Sequence, residues 1–186
     1  MLYVEPAAFK ASTSIADSFA DADVSAALTA ASRAVEKVTQ RRFWKDSTPA
    51  TRTYTATSCR RVNIDDAAQI NTVTASGAAI TSFVAEPLNA AADGEPYLWL
   101  SSTLGVFPTI AGGVTVTGLF GWPAVPEQIP QMVTILASKF LKRSREAPFG
   151  VVNAGGIEGI AMQLAREDPD MQVLIKPLMR YSMWVA

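Results

Sequence analysis

The hydrophobic period of this chain changes twice. Apolar residues recur at 3.6-residue spacing near the start, at every second position through the middle, and at 3.6-residue spacing again from about residue 127. A helix and a strand cannot share a period, so neither an all-helical nor an all-β design fits. The first helical stretch runs over about 22–42. Val24, Ala27, Leu28, Ala31, Val35 and Val38 fall on one face. Asp21 or Asp23 suits the first turn, while Arg33, Lys37, Arg41 and Arg42 come late, where cations complement the helix dipole. Ser14–Ala20 reads as a weaker, short helix ahead of it.

From Thr51 to Gly121 the alternation predicts short strands at Arg52–Ala56, Arg61–Asp65, Ile70–Thr74 and Val114–Leu119. Gly, Asn, Asp and Pro clusters separate them, among them Ala75-Ser-Gly77 and Asn89–Pro96. Asp65-Asp66 reads as the hairpin turn closing the second strand. Used as paired metal-binding carboxylates, two adjacent strand residues would point to opposite faces. Helical period returns over about 127–145 with Ile129, Met132, Val133, Leu136, Ala137, Phe140 and Leu141, and Pro130 is tolerable there only near the first turn. A Pro/Gly-rich loop follows at Ala147–Gly156. Asp168-Pro169 then opens a last helix over about 169–182, which Pro177 should kink or divide.

The expected fold is therefore α+β: a small bundle of three to four helices formed by 1–50 and 122–186, carrying a small antiparallel β-sheet or sandwich inserted at 51–121. With 186 residues and 49% apolar side chains the chain has ample material for a core.

Charge is distributed less evenly than its total suggests. The 16 basic and 17 acidic residues leave a net of −1, which excludes a polybasic coat that binds DNA by neutralising phosphates. Yet the 77 residues from 62 to 138 contain no Lys or Arg and six acids, while residues 1–61 carry nine basic against six acidic and 139–186 seven against five.

Catalytic candidates are weak. With no histidine, both the usual near-neutral acid/base and the commonest transition-metal ligand are missing. Cys59 stands alone beside Arg60 and Arg61 and has no histidine to activate it. Gly112-Gly113 and Gly155-Gly156 lack the phosphate-loop lysine and read as turns. No serine lies in a Gly-x-Ser-x-Gly element. No catalytic residue, cofactor or metal site is expected. The start, Met1-Leu-Tyr-Val-Glu-Pro6, lacks a signal-peptide pattern, and no apolar run is long enough to span a bilayer. A soluble chain working away from membranes is the expectation. Two basic clusters, Arg33–Lys45 and Lys139–Arg145, sit late on amphipathic helices and read as helix-end cations or as phosphate contacts. Phe43-Trp44 and Tyr181/Trp184 read as packing aromatics or as interface anchors.

Four segments resemble, in order, the head–tail connector family of long-tailed phages, also called adaptor or head-completion proteins. Ala30–Phe43 is similar to that family's first long helix, which ends in an Arg-x-Phe-like step into a β region, with Gln40 here where many relatives carry Gly. Val116-Thr-Gly-Leu-Phe-Gly-Trp-Pro-Ala-Val-Pro126 is similar to its strand ending in Gly-x-x-Gly-Trp with Pro at the next helix. Arg145–Gly150 and Ala165–Asp170, followed by a helix ending in Arg180-Tyr181, complete the pattern, which covers about residues 20–182.

The resemblance implies a structural, non-catalytic protein of the virion neck, assembled in the host cytoplasm as a ring, most often a dodecamer. It would dock beneath the portal protein, receive stopper or tail-completion proteins, and let genomic DNA pass without sequence-specific binding. It makes the C-terminal segment, with Arg180, Tyr181, Met183 and Trp184, a usual portal contact. For such a ring the charge map adds Lys139, Lys142, Arg143 and Arg145, a basic helix end that could meet the acidic β region of a neighbour, although acids lining the DNA channel are the other reading of that region. The rival reading is a non-catalytic nucleic-acid-binding or DNA-packaging accessory module that uses the basic helix ends.

Overall fold

The structure, a computed structural model, describes residues 1–13, 18–146 and 169–180. The chain divides into two compact units, Met1–Arg41 with Pro126–Ala186, and Arg42–Val125. Among the described residues there are five α-helices, and the sheet has six strands, all antiparallel. This corrects the expected small helical bundle with a minor insert. Only two helices are long, and the sheet is the larger regular element with a core of its own.

In the helical unit, α1 (Pro6–Ser12) and α2 (Asp21–Thr39) are followed, after the other unit, by the α4 helix (Gln128–Glu146) and the short α5 (Pro169–Ile175). Helix α2 packs on α4. The stripes read from the sequence are the ones buried: Val24, Leu28, Ala31 and Val35 on α2, and Ile129, Met132, Val133, Leu136, Ala137 and Leu141 on α4. Buried hydroxyls are satisfied within α2, Ser32 donating to the Leu28 carbonyl (2.7 Å) and Thr39 to that of Val35 (2.8 Å). Asp21 and Asp23 lie in the first turn but make no cap; the N-cap is Ala20. Instead Asp21 pairs with Lys10 of α1.

Gln40 ends α2 in the left-handed region at φ 56°, ψ 30°. That is the conformation for which glycine is the usual choice, so the Gln-for-Gly departure sits where the backbone most favours glycine. Helix α1, not expected from the sequence, starts on Pro6 and buries Phe9. Tyr3 donates to Glu36 (2.6 Å) and Arg33 to the Met1 carbonyl (2.6 Å), which fasten the N-terminus to α2. Pro177 divides the last helix as expected: α5 stops at Ile175 and the chain tightens into a 3-10 turn at Lys176–Leu178. The Arg180 N–H then reaches the Thr39 carbonyl (3.3 Å). The short helix expected at Ser14–Ala20 and the loop at Ala147–Gly156 fall largely or wholly outside the described residues.

In the β unit the strands are β1 (Ala50–Tyr54), β2 (Arg61–Ala75), β3 (Ala78–Ile80), β4 (Val84–Glu86), β5 (Tyr97–Ser101) and β6 (Val114–Phe120), in the order β1-β6-β2-β5-β4 with β3 on β2. The α3 helix (Ala90–Asp93) lies between β4 and β5. Two expected strands prove to be one. Asp65-Asp66 is not a turn but the middle of β2, a 15-residue strand that keeps its pairing by shifting register. The shifts fall between Asn63 and Ala67 against β5, and between Ala67 and Gln69 and between Ile70 and Thr72 against β6. Such bulges bend a strand and let it serve two partners. β2 and β3 join through Ser76 (φ 47°) and Gly77 (φ 84°), two positive-φ residues that give the hairpin the twist it needs. The strands β3, β4 and β5 carry no period-two signal, because they are short or, in Tyr97-Leu-Trp-Leu-Ser101, do not alternate. One cluster, including Val62, Ile64, Val73, Leu100, Phe107, Val114, Val116 and Phe120, fills the inner side of the sheet.

Candidate functional site

Within the β unit, Arg42 and Phe43 meet the segment Phe120–Trp122. The Phe43 ring lies 5.3 Å from that of Trp122, tilted by 49°. Phe120 places its carbonyl to accept from the Asp46 N–H (2.8 Å) and from Arg42 Nη2 (3.2 Å). Gly121 adopts φ +106°, and a Cβ there would sit 1.9 Å from the Trp44 carbonyl oxygen. Its N–H donates to the Asp66 carbonyl (2.7 Å), and the Trp122 indole donates to Asp66 Oδ2 (3.1 Å). Gly118 is needed for a different reason: a Cβ would come within 2.2 Å of the Gln69 carbonyl oxygen, beside the second register shift of β2. In Gly118-Leu-Phe-Gly121-Trp122, then, each glycine makes room for a neighbouring backbone, and the tryptophan closes over the segment entering the unit.

Beside this closure runs a chain of alternating charges. Arg42 Nη2 lies 2.7 Å from Asp46 Oδ1, and Arg52 Nη2 lies 3.9 Å from Asp46 Oδ2. Arg52 Nη1 bonds Asp65 Oδ2 (2.7 Å), on which Tyr54 also donates its hydroxyl (3.1 Å). The guanidinium groups also stack: Arg42 is 3.9 Å from the Trp44 ring centre and Arg52 is 4.1 Å from that of Phe120. Burial, together with the Asp65 charge, pushes the Tyr54 hydroxyl up to about 12. Burial works against the Arg52 cation, but the hydrogen bond and charge of Asp65 outweigh it and leave Arg52 more basic than usual. Each ion pair is partly exposed and contributes about 0.5 kcal/mol, and each stack about as much. These groups tie the entering segment to β1, β2 and β6. They present neither an activated nucleophile nor a general base.

The outer side of the sheet differs between its ends. On β5 and β4, Trp99 donates to Glu86 (2.9 Å), Ser101 donates to the same carboxylate, and Arg61 stacks 4.3 Å above the Trp99 ring. Those two donors hold the Glu86 carboxyl below its ordinary range. On β1, β6 and β2 the register lines up threonines in two rows, Thr51–Thr117–Thr72 and Thr53–Thr115–Thr74. In the first row, Thr51 and Thr117 share a hydroxyl–hydroxyl bond of 2.9 Å.

Counted by folded unit, the acidic middle largely disappears. The β unit carries five basic and six acidic residues, and the helical unit eleven of each. Arg42, Lys45, Arg52, Arg60 and Arg61 fold with the acids of the sheet, and Asp65, Asp66 and Glu86 are engaged inside the unit. Only Asp93 and Glu95 of that stretch stand fully exposed in the β unit. By folded unit the charge is close to balanced in both.

Of the interface residues expected from the sequence, Lys139, Lys142 and Arg143 share one side of α4 by their spacing of three and four, with Lys142 and Arg143 exposed and Lys139 half-buried. Arg145, also exposed, bonds Ser18 Oγ (3.2 Å). Arg180 is half-buried after the 3-10 turn. Tyr181, Met183 and Trp184 lie outside the described residues, as do Gly155-Gly156. Gly112-Gly113 forms the turn before β6, the Gly112 N–H donating to Thr55 Oγ1 (3.0 Å). Cys59 is exposed, and no cluster of potential metal ligands occurs among the described residues. No described helix is long and apolar enough to cross a membrane. The partnerships of Asp65 and Asp66 had no signal in the sequence. The threonine rows had one, three Thr-x-Thr segments, whose alignment depends on register. No protein-family model matches this chain, and no curated protein matches it.

Proposed function

We propose that this chain is a structural head-to-tail connector of a tailed phage, a non-catalytic ring-forming protein of the virion neck. It joins the portal protein to stopper or tail-completion proteins and lets the genome pass. The observation that carries the reading is the ordered set of four connector-like segments. It is supported by the meeting of the end of one with another, since Phe43 packs on Trp122 and Gly121 makes room for the Trp44 backbone beside it. Electron microscopy of the purified chain mixed with a tailed-phage portal protein is expected to show a ring of this chain added beneath the portal. A portal that carries no added ring overturns the reading.

Reversing Lys142 and Arg143 to Glu is expected to lower ring yield and its salt sensitivity, and deleting Met183–Ala186 to weaken portal docking while folding is retained. The exposed Lys142, Arg143 and Arg145 are the one observation that favours a DNA-binding accessory module instead. Units with net charges of 0 and −1 favour it little. A gel-shift titration separates the two: binding that persists at low salt and fades steeply with added salt supports the accessory module, and no binding supports the connector.

A further inference from the structure

Among the described residues three strands of the sheet pair on one side only, and two of those edges are well guarded. β3 and β4 are three residues long, and β4 stops at Pro87, which has no N–H to offer. β1 is guarded less: it is five residues long, pairs with β6 without a register shift and contains no lysine. Natural sheets usually blunt an edge with charge, proline or a bulge. The guards β1 has are Pro49 just before it and Arg52, held on the core side by Asp65, Asp46 and the Phe120 ring. Outside, β1 shows Thr51 and Thr53, followed by Thr55, whose hydroxyl already accepts from the Gly112 N–H; all three are exposed.

We propose that two copies of this chain pair antiparallel through their β1 edges, about a two-fold axis at Thr53. In that register Thr53 faces its own counterpart, Thr51 faces Thr55 of the second copy, and Arg52 faces Tyr54. Every pair is hydroxyl with hydroxyl or cation with aromatic. The threonine pairs repeat on the open edge the Thr51–Thr117 contact that β1 already makes on its closed one. Sliding the axis to Arg52 sets two cations opposite each other, which is unfavourable. The segment Thr51-Arg-Thr53-Tyr-Thr55 thus reads alike in both directions where charge and hydroxyl groups matter, and this self-complementarity favours a second copy over an unrelated peptide. Pairing also satisfies the backbone groups of the open edge. One strand offers much less than the roughly 800 Å² per partner of a stable interface, so the dimer is weak and concentration-dependent. The contact is isologous and closes at two copies, which distinguishes it from any ring.

Sedimentation of the full chain from roughly micromolar to millimolar concentration is expected to show a monomer–dimer equilibrium. Thr53→Lys alone and Thr53→Glu alone should each weaken it at least tenfold, and an equimolar mixture of the two should restore dimers. Within one chain, Thr51→Glu with Thr55→Lys should tighten the dimer, whereas Thr51→Lys with Thr55→Lys should loosen it; this pair of variants decides the matter if the Thr53 substitutions disturb the sheet, as seen by circular dichroism. A monomer over the whole range overturns the proposal, and so does a dimer indifferent to these charges.

Discussion

The helical unit and the β unit are held by different means. In the first, α2 and α4 meet through stripes of aliphatic side chains, and the contact tolerates local error because side chains can shift. In the second, a bent 15-residue strand, two glycines in contact with other backbones and a chain of four charged groups fix the path of the main chain itself. Loss of a side chain leaves a hole in the helical unit, whereas gain of one methyl in the β unit meets a carbonyl that cannot move.

The largest effect should therefore come from the smallest change. Gly121→Ala sets a Cβ against the Trp44 carbonyl in a left-handed conformation, and the expected loss is about 4 kcal/mol or more, seen as loss of folded protein in urea titration. If Gly121→Ala costs less than a core truncation, the contrast between the units fails. Leu136→Ala, at a fully packed position of α4, supplies that core truncation and should cost about 3 kcal/mol.

A pH experiment sharpens the electrostatic side of the comparison. The Tyr54 hydroxyl is raised in the folded state from 10.0 to about 12, so the folded chain holds this proton more tightly than the unfolded one. Its contribution is complete below pH 10.0 and is lost as pH climbs toward 12. Tyr54 is half-exposed, which keeps the effect small, on the order of 1 kcal/mol. Tyr54→Phe should flatten that part of the stability–pH curve; an unchanged slope would remove Tyr54 from the network. The smallest predicted change is a gain. Gln40→Gly relieves the left-handed C-cap of α2 and should stabilise by about 0.5–1 kcal/mol in thermal melts, less whatever the Gln40–Lys37 hydrogen bond contributes.

The same contrast explains what could be read in advance. The stripes on α2 and α4, the first-turn place of Pro130 and the break at Pro177 all follow from spacing within one segment. Period two located β1 and β6 and both halves of β2. It could not join those halves, because Asp65 and Asp66 are common turn residues, and only the bonds of Asp65 with Arg52 and of Asp66 with Trp122 reveal them as strand. The bulges, the roles of Gly118 and Gly121 and the alignment of the threonines all depend on partners distant in sequence. For the interface residues, spacing grouped Lys139, Lys142 and Arg143 on one side of α4, but it said nothing of Arg145 reaching Ser18.

The helical unit is also discontinuous in the chain, and this sets a timetable for synthesis. When α2 leaves the ribosome, the helix that covers Val24, Leu28, Ala31 and Val35 has not been made. The whole of Arg42–Val125 must be translated first, and it is contiguous, so it can form its sheet while α2 waits with an uncovered apolar face. Its many alanines suit that interval, since they favour the helix without presenting the bulk that invites wrong partners.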